Sequence, residues 1–148
     1  MTDPAPESNP LLAIIAKKID DIDRFFWDAA VALSVNAISG DYVEFGSWGA
    51  NTLHLAHERF RTTGTPRHLW AFDSFQGLPE AADPRDHHPG WRSGGAGQGG
   101  VQAFVDTCDG FGIPRDAYTA VEGYYDQTLP ALGTDGRPTD IALAYLDC

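Results

Sequence analysis

The chain has 148 residues, 43% of them hydrophobic and 21% charged, which suits one ordinary globular domain built on one core. Its formal net charge is −11, with lysine only at Lys17 and Lys18, so the surface repels phosphate backbones and no nucleic-acid partner is expected. No apolar run approaches the roughly 20 residues of a membrane span, and the polar start Met1–Pro10 is unlike a secretory signal, so no membrane partner is expected. Two cysteines, Cys108 and Cys148, make no disulfide framework and fit a cytoplasmic, reducing setting.

Residues 1–10 read as a disordered tail. Over 11–39, Leu11, Leu12, Ile15, Ile19, Ile22, Phe25, Phe26, Ala29, Leu33 and Ala37 recur at helical spacing and predict one or two amphipathic helices. Phe25, Phe26 and Trp27 read as core residues of those helices, whose surface is also a candidate for homo-oligomer contacts. Gly40 and Asp41 break the pattern. Tyr42–Gly46 then reads as a strand, 51–61 as a helix, 68–72 as a second strand and 101–111 as a helix. Residues 118–121 read as a third strand, 124–132 as a helix or turn and 141–146 as a fourth strand, apolar at nearly every position and so expected mid-sheet. Between Asp83 and Gly100 lies a glycine-rich stretch of low apolar content, read as a mobile lid. This alternation predicts an α/β fold: four parallel strands in the order 3-2-1-4, helices on both faces, preceded by the N-terminal helices.

In such sheets ligands sit at the carboxyl ends of the strands. Here each end delivers an acidic residue: Glu44 with Gly46 and Ser47 after strand one, Asp73 with Ser74 after strand two, Glu122 with Gly123 after strand three, and Asp147 after strand four. Gly46 at a strand-to-helix turn lets backbone approach a ligand, and the helix start beyond it favours an anion such as an amino-acid carboxylate. Glu44 is placed to offset an ammonium. Asp73, 27 positions after Gly46, is placed to accept both hydroxyls of a ribose. The plain rival takes Gly46 and Gly49 as turn residues and Asp73 as a solvated cap. A nicotinamide-dinucleotide oxidoreductase is opposed by the residues themselves. The pyrophosphate pattern Gly-x-Gly-x-x-Gly is broken by Trp48, and Glu44 would face the anion.

Four blocks in order, Gly40–Gly46, Ala71–Pro79, Gly123–Pro130 and Ile141–Asp147, resemble the macrocin O-methyltransferase family. The resemblance runs from about Ile38 to the C-terminus, and Phe72-Asp73-Ser74-Phe75-Gln76-Gly77-Leu78-Pro79 is its most distinctive part. It implies a Rossmann-like class I methyltransferase that uses S-adenosylmethionine and magnesium to methylate a small-molecule hydroxyl acceptor, a sugar or polyol of a natural product. By position, Glu44, Gly46 and Ser47 would line the methionine end of the cofactor. Asp73 and Ser74 would meet the ribose, Glu122 and Gly123 the adenine, and Asp147 would be a magnesium ligand. The family's general base would follow Cys148, so 40–148 reads as the donor-binding half of a methyltransferase domain, and a non-catalytic cofactor-binding fragment is the alternative. Trp48-Gly49-Ala50-Asn51-Thr52 departs from the Arg-Gly-Gly-Ser-like run common in the family. Cys148 stands where a small residue is usual.

Other residues read more plainly. His54 and His57 lack a third ligand and read as helix-surface residues, and Cys108 as a buried small residue. His87 and His88 belong to the lid. Tyr124 and Tyr125 fit either an adenine site or a core.

Overall fold

The computed structural model describes residues 10–81, 83–87, 89–90, 92–95, 97 and 99–147. The expected disordered tail lies outside these residues apart from Pro10, which opens a helix. The elements, in order, are α1 (Pro10–Val35), β1 (Asp41–Phe45), α2 (Asn51–Thr62), β2 (Leu69–Asp73), α3 (Val101–Gly110), β3 (Tyr118–Glu122), α4 (Tyr125–Ala131) and β4 (Ile141–Leu146). The four strands are parallel and ordered β3-β2-β1-β4, an α/β sheet of the expected topology.

Strand alternation divides the core between the two faces. Tyr42, Leu69, Ala71 and Tyr118 meet Phe26 of α1, Leu53 and Phe60 of α2, and Phe104 and Cys108 of α3 on one face. On the other, Val43, Trp70 and Phe72 form a smaller cluster with Phe45, Val121, Tyr125 and Leu132. The second face therefore rests on α4, a helix of 7 residues.

One helix, α1, covers the segment expected to form one or two, and it buries only its second half. Phe26, Ala30 and Leu33 are buried, whereas Leu12, Ile15 and Ile19 are 62%, 46% and 55% exposed. Length explains the difference. A helix of 26 residues runs about 39 Å, whereas strands of 5 residues reach about 17 Å. The N-terminal half thus extends past the sheet. Phe26 packs edge-on to Tyr42 and tilted on Tyr145. Phe25 and Trp27, expected in the core, stay partly exposed on either side of it, with the Arg59 guanidinium over the Trp27 ring. Arg59 also forms a bidentate pair with Asp23, tying α2 to α1.

Strand β4 lies at the edge of the described sheet, as the expected order 3-2-1-4 places it although its apolar run suits a middle strand, with Ile141 and Leu146 exposed. It pairs with β1 alone among the described strands. The sheet's carboxyl edge is drawn together by backbone bonds just past the strands. Gly46 N–H donates to Phe72 O, Gly123 N–H to Asp73 O and Asp147 N–H to Phe45 O, each at 2.9 Å.

Candidate functional site

A cleft of about 480 Å³ opens along that edge. This is within the usual range for a small-molecule site. Every strand contributes: Gly46, Ser47 and Trp48 after β1, Asp73 and Ser74 at β2, Gly123 after β3 and Asp147 after β4. Asn51 and Thr52 add the start of α2, and Leu78, Pro79, Tyr124 and Tyr125 add apolar surface to the wall. Among the described residues, Asp73 and Asp147 are the acidic lining residues and no lining residue is basic.

Asp73 organises the centre. Its Oδ2 accepts the N–H of Ser47 at 2.8 Å and that of Trp48 at 3.2 Å, while Oδ1 accepts the N–H of Phe75 at 2.7 Å. A carboxylate offers about four acceptor positions. Three are taken by backbone, so one remains, on Oδ1, where the sequence had suggested room for both ribose hydroxyls. Gly46 makes the turn into this loop at φ 86, a conformation that suits glycine. Ala50 closes the loop in the left-handed region at φ 56 and caps α2 without a side-chain hydrogen bond. The first-turn amides of α2 are therefore left to water or a ligand, next to Asn51 and Thr52.

Glu44 departs from expectation. Its side chain is fully buried and does not line the cleft. Its Oε2 accepts the Tyr42 hydroxyl at 2.5 Å and its Oε1 the Thr52 hydroxyl at 3.0 Å. Burial pushes its carboxyl up to about 7, against the two hydroxyls, which favour the charged form. The same burial, with Glu44 beside it, raises the Tyr42 phenol. Even-numbered residues of β1 face the helices, so Glu44 fixes Thr52 from behind rather than reaching an ammonium itself. Glu122 also lies outside the cleft lining, exposed at the end of β3, and leaves Gly123 as that strand's contribution.

The remaining wall was unassigned in the sequence. Leu78 N–H donates to Gly95 O and Gly94 N–H to Leu78 O, both at 2.9 Å, so the glycine run of the long loop is laced to the segment after β2. A Cβ at Gly77 would lie 2.5 Å from Gly95 O. The described part of the expected lid is thus anchored at this point; His88 and Trp91 lie outside the described residues. Tyr124 and Tyr125 both reach the cleft; Tyr125 also packs edge-on to Phe45 and its hydroxyl donates to Phe72 O at 3.3 Å. His54 and His57 sit half-buried on α2, His54 stacked on Phe111 at 4.5 Å. Cys108 is buried, as expected.

Two solved structures share the fold. The O-methyltransferase NovP matches 88% of this chain and 53% of its own length, at 20% identity and a TM-score of 0.66. CalS11, a calicheamicin methyltransferase, matches 88% of this chain and 54% of its own, at 24% identity and a TM-score of 0.65. The chain thus spans about half the length of these neighbours. No curated protein matches at a significant level. Residues 15–148 match the Macrocin-O-methyltransferase (TylF) family, nearly the whole chain, and the chain belongs to that family.

Proposed function

We propose that the cleft binds S-adenosylmethionine and that the protein serves methyl transfer to a hydroxyl of a small molecule, a sugar or polyol of a natural product. The observation that carries this is the Asp73 carboxylate, held by three amides in a cleft whose described lining has no basic side chain. A cationic donor with a ribose suits such a wall. A dinucleotide pyrophosphate beside Asp73 and Asp147 would find no compensating side chain among the described lining residues.

In this reading the free position on Asp73 Oδ1 takes a ribose hydroxyl. The amides at the start of α2 take the methionine carboxylate, and adenine lies between Leu78–Pro79 and Tyr124–Tyr125. Transfer is an in-line displacement. The acceptor oxygen bonds to the methyl carbon, the carbon–sulfur bond breaks to leave a neutral thioether, and the hydroxyl proton passes to a base. Asp147 stands at the cleft wall beside the strand that borders β1, on the acceptor side in this reading.

The family resemblance also implies magnesium, a cation that takes about six oxygen ligands. Asp73 is committed to backbone, which leaves Asp147 as the one lining carboxylate not so engaged. No group of three metal-binding side chains occurs among the described residues. These residues do not by themselves fit a magnesium site, and no step is assigned to the metal.

A second reading, donor binding without methyl transfer, is favoured by the described lining, where Asp147 is the one carboxylate not engaged by backbone amides. No helix among the described residues is long and apolar enough to cross a membrane.

Calorimetric titration of the chain with S-adenosylhomocysteine and with NAD tests the donor site. Binding of the first and not the second is expected, and binding of NAD alone overturns the reading. A radiolabelled methyl donor offered with a polyol panel separates methyl transfer from donor binding alone.

A further inference from the structure

Trp48 is 56% exposed, and among the described residues it is the most exposed aromatic lining the cleft. It belongs to the loop held by Asp73, its own N–H donating to Oδ2 at 3.2 Å, and Ala50 then turns the chain into α2. Trp48 therefore stands between the carboxylate assigned to the ribose and the helix start assigned to the amino acid. In S-adenosylmethionine the sulfonium lies between those same two groups. A sulfonium has no N–H or O–H to donate, so a protein recognises it through charge or through an aromatic face. The near carboxylate, Asp73, is already engaged by three amides. Of the other lining aromatics, Tyr125 is fastened to the wall by Phe45 and Phe72, and Tyr124 is half-buried.

We propose that Trp48 is the residue that recognises the positive charge of the methyl donor, its indole meeting the sulfonium. The proposal rests on the donor-binding reading above and deepens it. It makes Trp48 a ligand contact that separates the charged donor from the neutral thioether product, so that product is released while donor is held.

The test is a calorimetric comparison of S-adenosylmethionine and S-adenosylhomocysteine on the full chain and on its Trp48→Leu and Trp48→Phe variants. Trp48→Leu is expected to weaken the charged donor about fivefold or more, the usual size of a cation–aromatic contact, and the neutral product less than about twofold. Trp48→Phe keeps an aromatic face and should retain most of the discrimination. Equal losses for the two ligands, or no loss for either, overturn the charge-recognition role while leaving the donor site in place. Failure of the unsubstituted chain to bind either ligand overturns the donor-binding reading, and this proposal with it.

Discussion

The carboxylate of Asp73, the last residue of β2, accepts the backbone N–H of Ser47, two residues past β1, at 2.8 Å. This bond and its neighbour to Trp48 make one side chain the organiser of the loop that precedes α2. Charge-assisted bonds of this kind contribute more than neutral ones, at about 1.5–3 kcal/mol. Asp73→Ala should therefore lower stability by about 2 kcal/mol and weaken S-adenosylhomocysteine by at least about tenfold. Asp73→Asn keeps one carbonyl oxygen for Ser47 and Trp48 but turns an amide toward the Phe75 N–H. It should fall between. Denaturant melts give the stability, and hydrogen exchange at the Ser47 and Trp48 amides should quicken in both variants. Unchanged exchange would remove Asp73 from this role.

The fold was legible because periodicity reports burial. Short runs of apolar, β-favouring residues between breakers marked the four strands within a residue or two, and their order followed from the alternation of strands with helices. The carboxyl-edge residues Gly46, Ser47, Asp73, Ser74, Gly123 and Asp147 were legible for the same reason, since position after a strand places a residue at the rim. Side-chain direction was not. Glu44 and Glu122 also sit at strand ends, yet Glu44 turns into the helix-covered face and Glu122 lies outside the lining. Strand β1 is buried on both faces, so no alternation in the sequence showed which way Glu44 turns. Leu78 and Pro79 were visible as a block without a role, because their place depends on glycines far along the chain.

Phe26 decides whether α1 belongs to the domain. It is fully buried, with Tyr42 and Tyr145 against its ring. Removing such a ring leaves a cavity that costs about 3–5 kcal/mol. Phe26→Ala should lower the thermal midpoint by about 10–15 degrees, while Leu12→Ala on the projecting half of the same helix should change it little. A similar fall for both would mean that the first half of α1 is covered in solution.

Gly77 is a second point of control. Its φ is 87, and a Cβ would meet Gly95 O at 2.5 Å and Gly97 N at 2.7 Å, both backbone atoms that cannot swing aside. Gly77→Ala combines backbone strain with that collision and should destabilise by about 1–3 kcal/mol. The collision falls on the glycine run, so limited proteolysis should show earlier cutting within 92–97 than in the unsubstituted chain. Donor affinity should fall as well, because Leu78 and Pro79 follow directly. Unaltered proteolysis would show that the glycine run is not held by this contact in solution.

Glu44 gives the protein a pH dependence of definite sign. Burial holds its carboxyl near 7 in the folded chain, above its ordinary value of 4.5. The folded state thus binds the proton more tightly than the unfolded state. Its contribution to stability is fully present below about pH 4.5 and is lost as pH rises toward about 7, on the order of 3 kcal/mol in all. Glu44→Gln retains an acceptor for the Tyr42 or Thr52 hydroxyl but cannot ionise. The stability difference between the unsubstituted chain and this variant, from urea melts between pH 4 and 8, should therefore move in the variant's favour as pH rises and level off above about 7. Exposed pairs such as Arg85–Asp83 are common to both proteins and cancel in the difference. A flat difference across the range would mean that Glu44 remains charged in its buried site, held so by the hydroxyls of Tyr42 and Thr52.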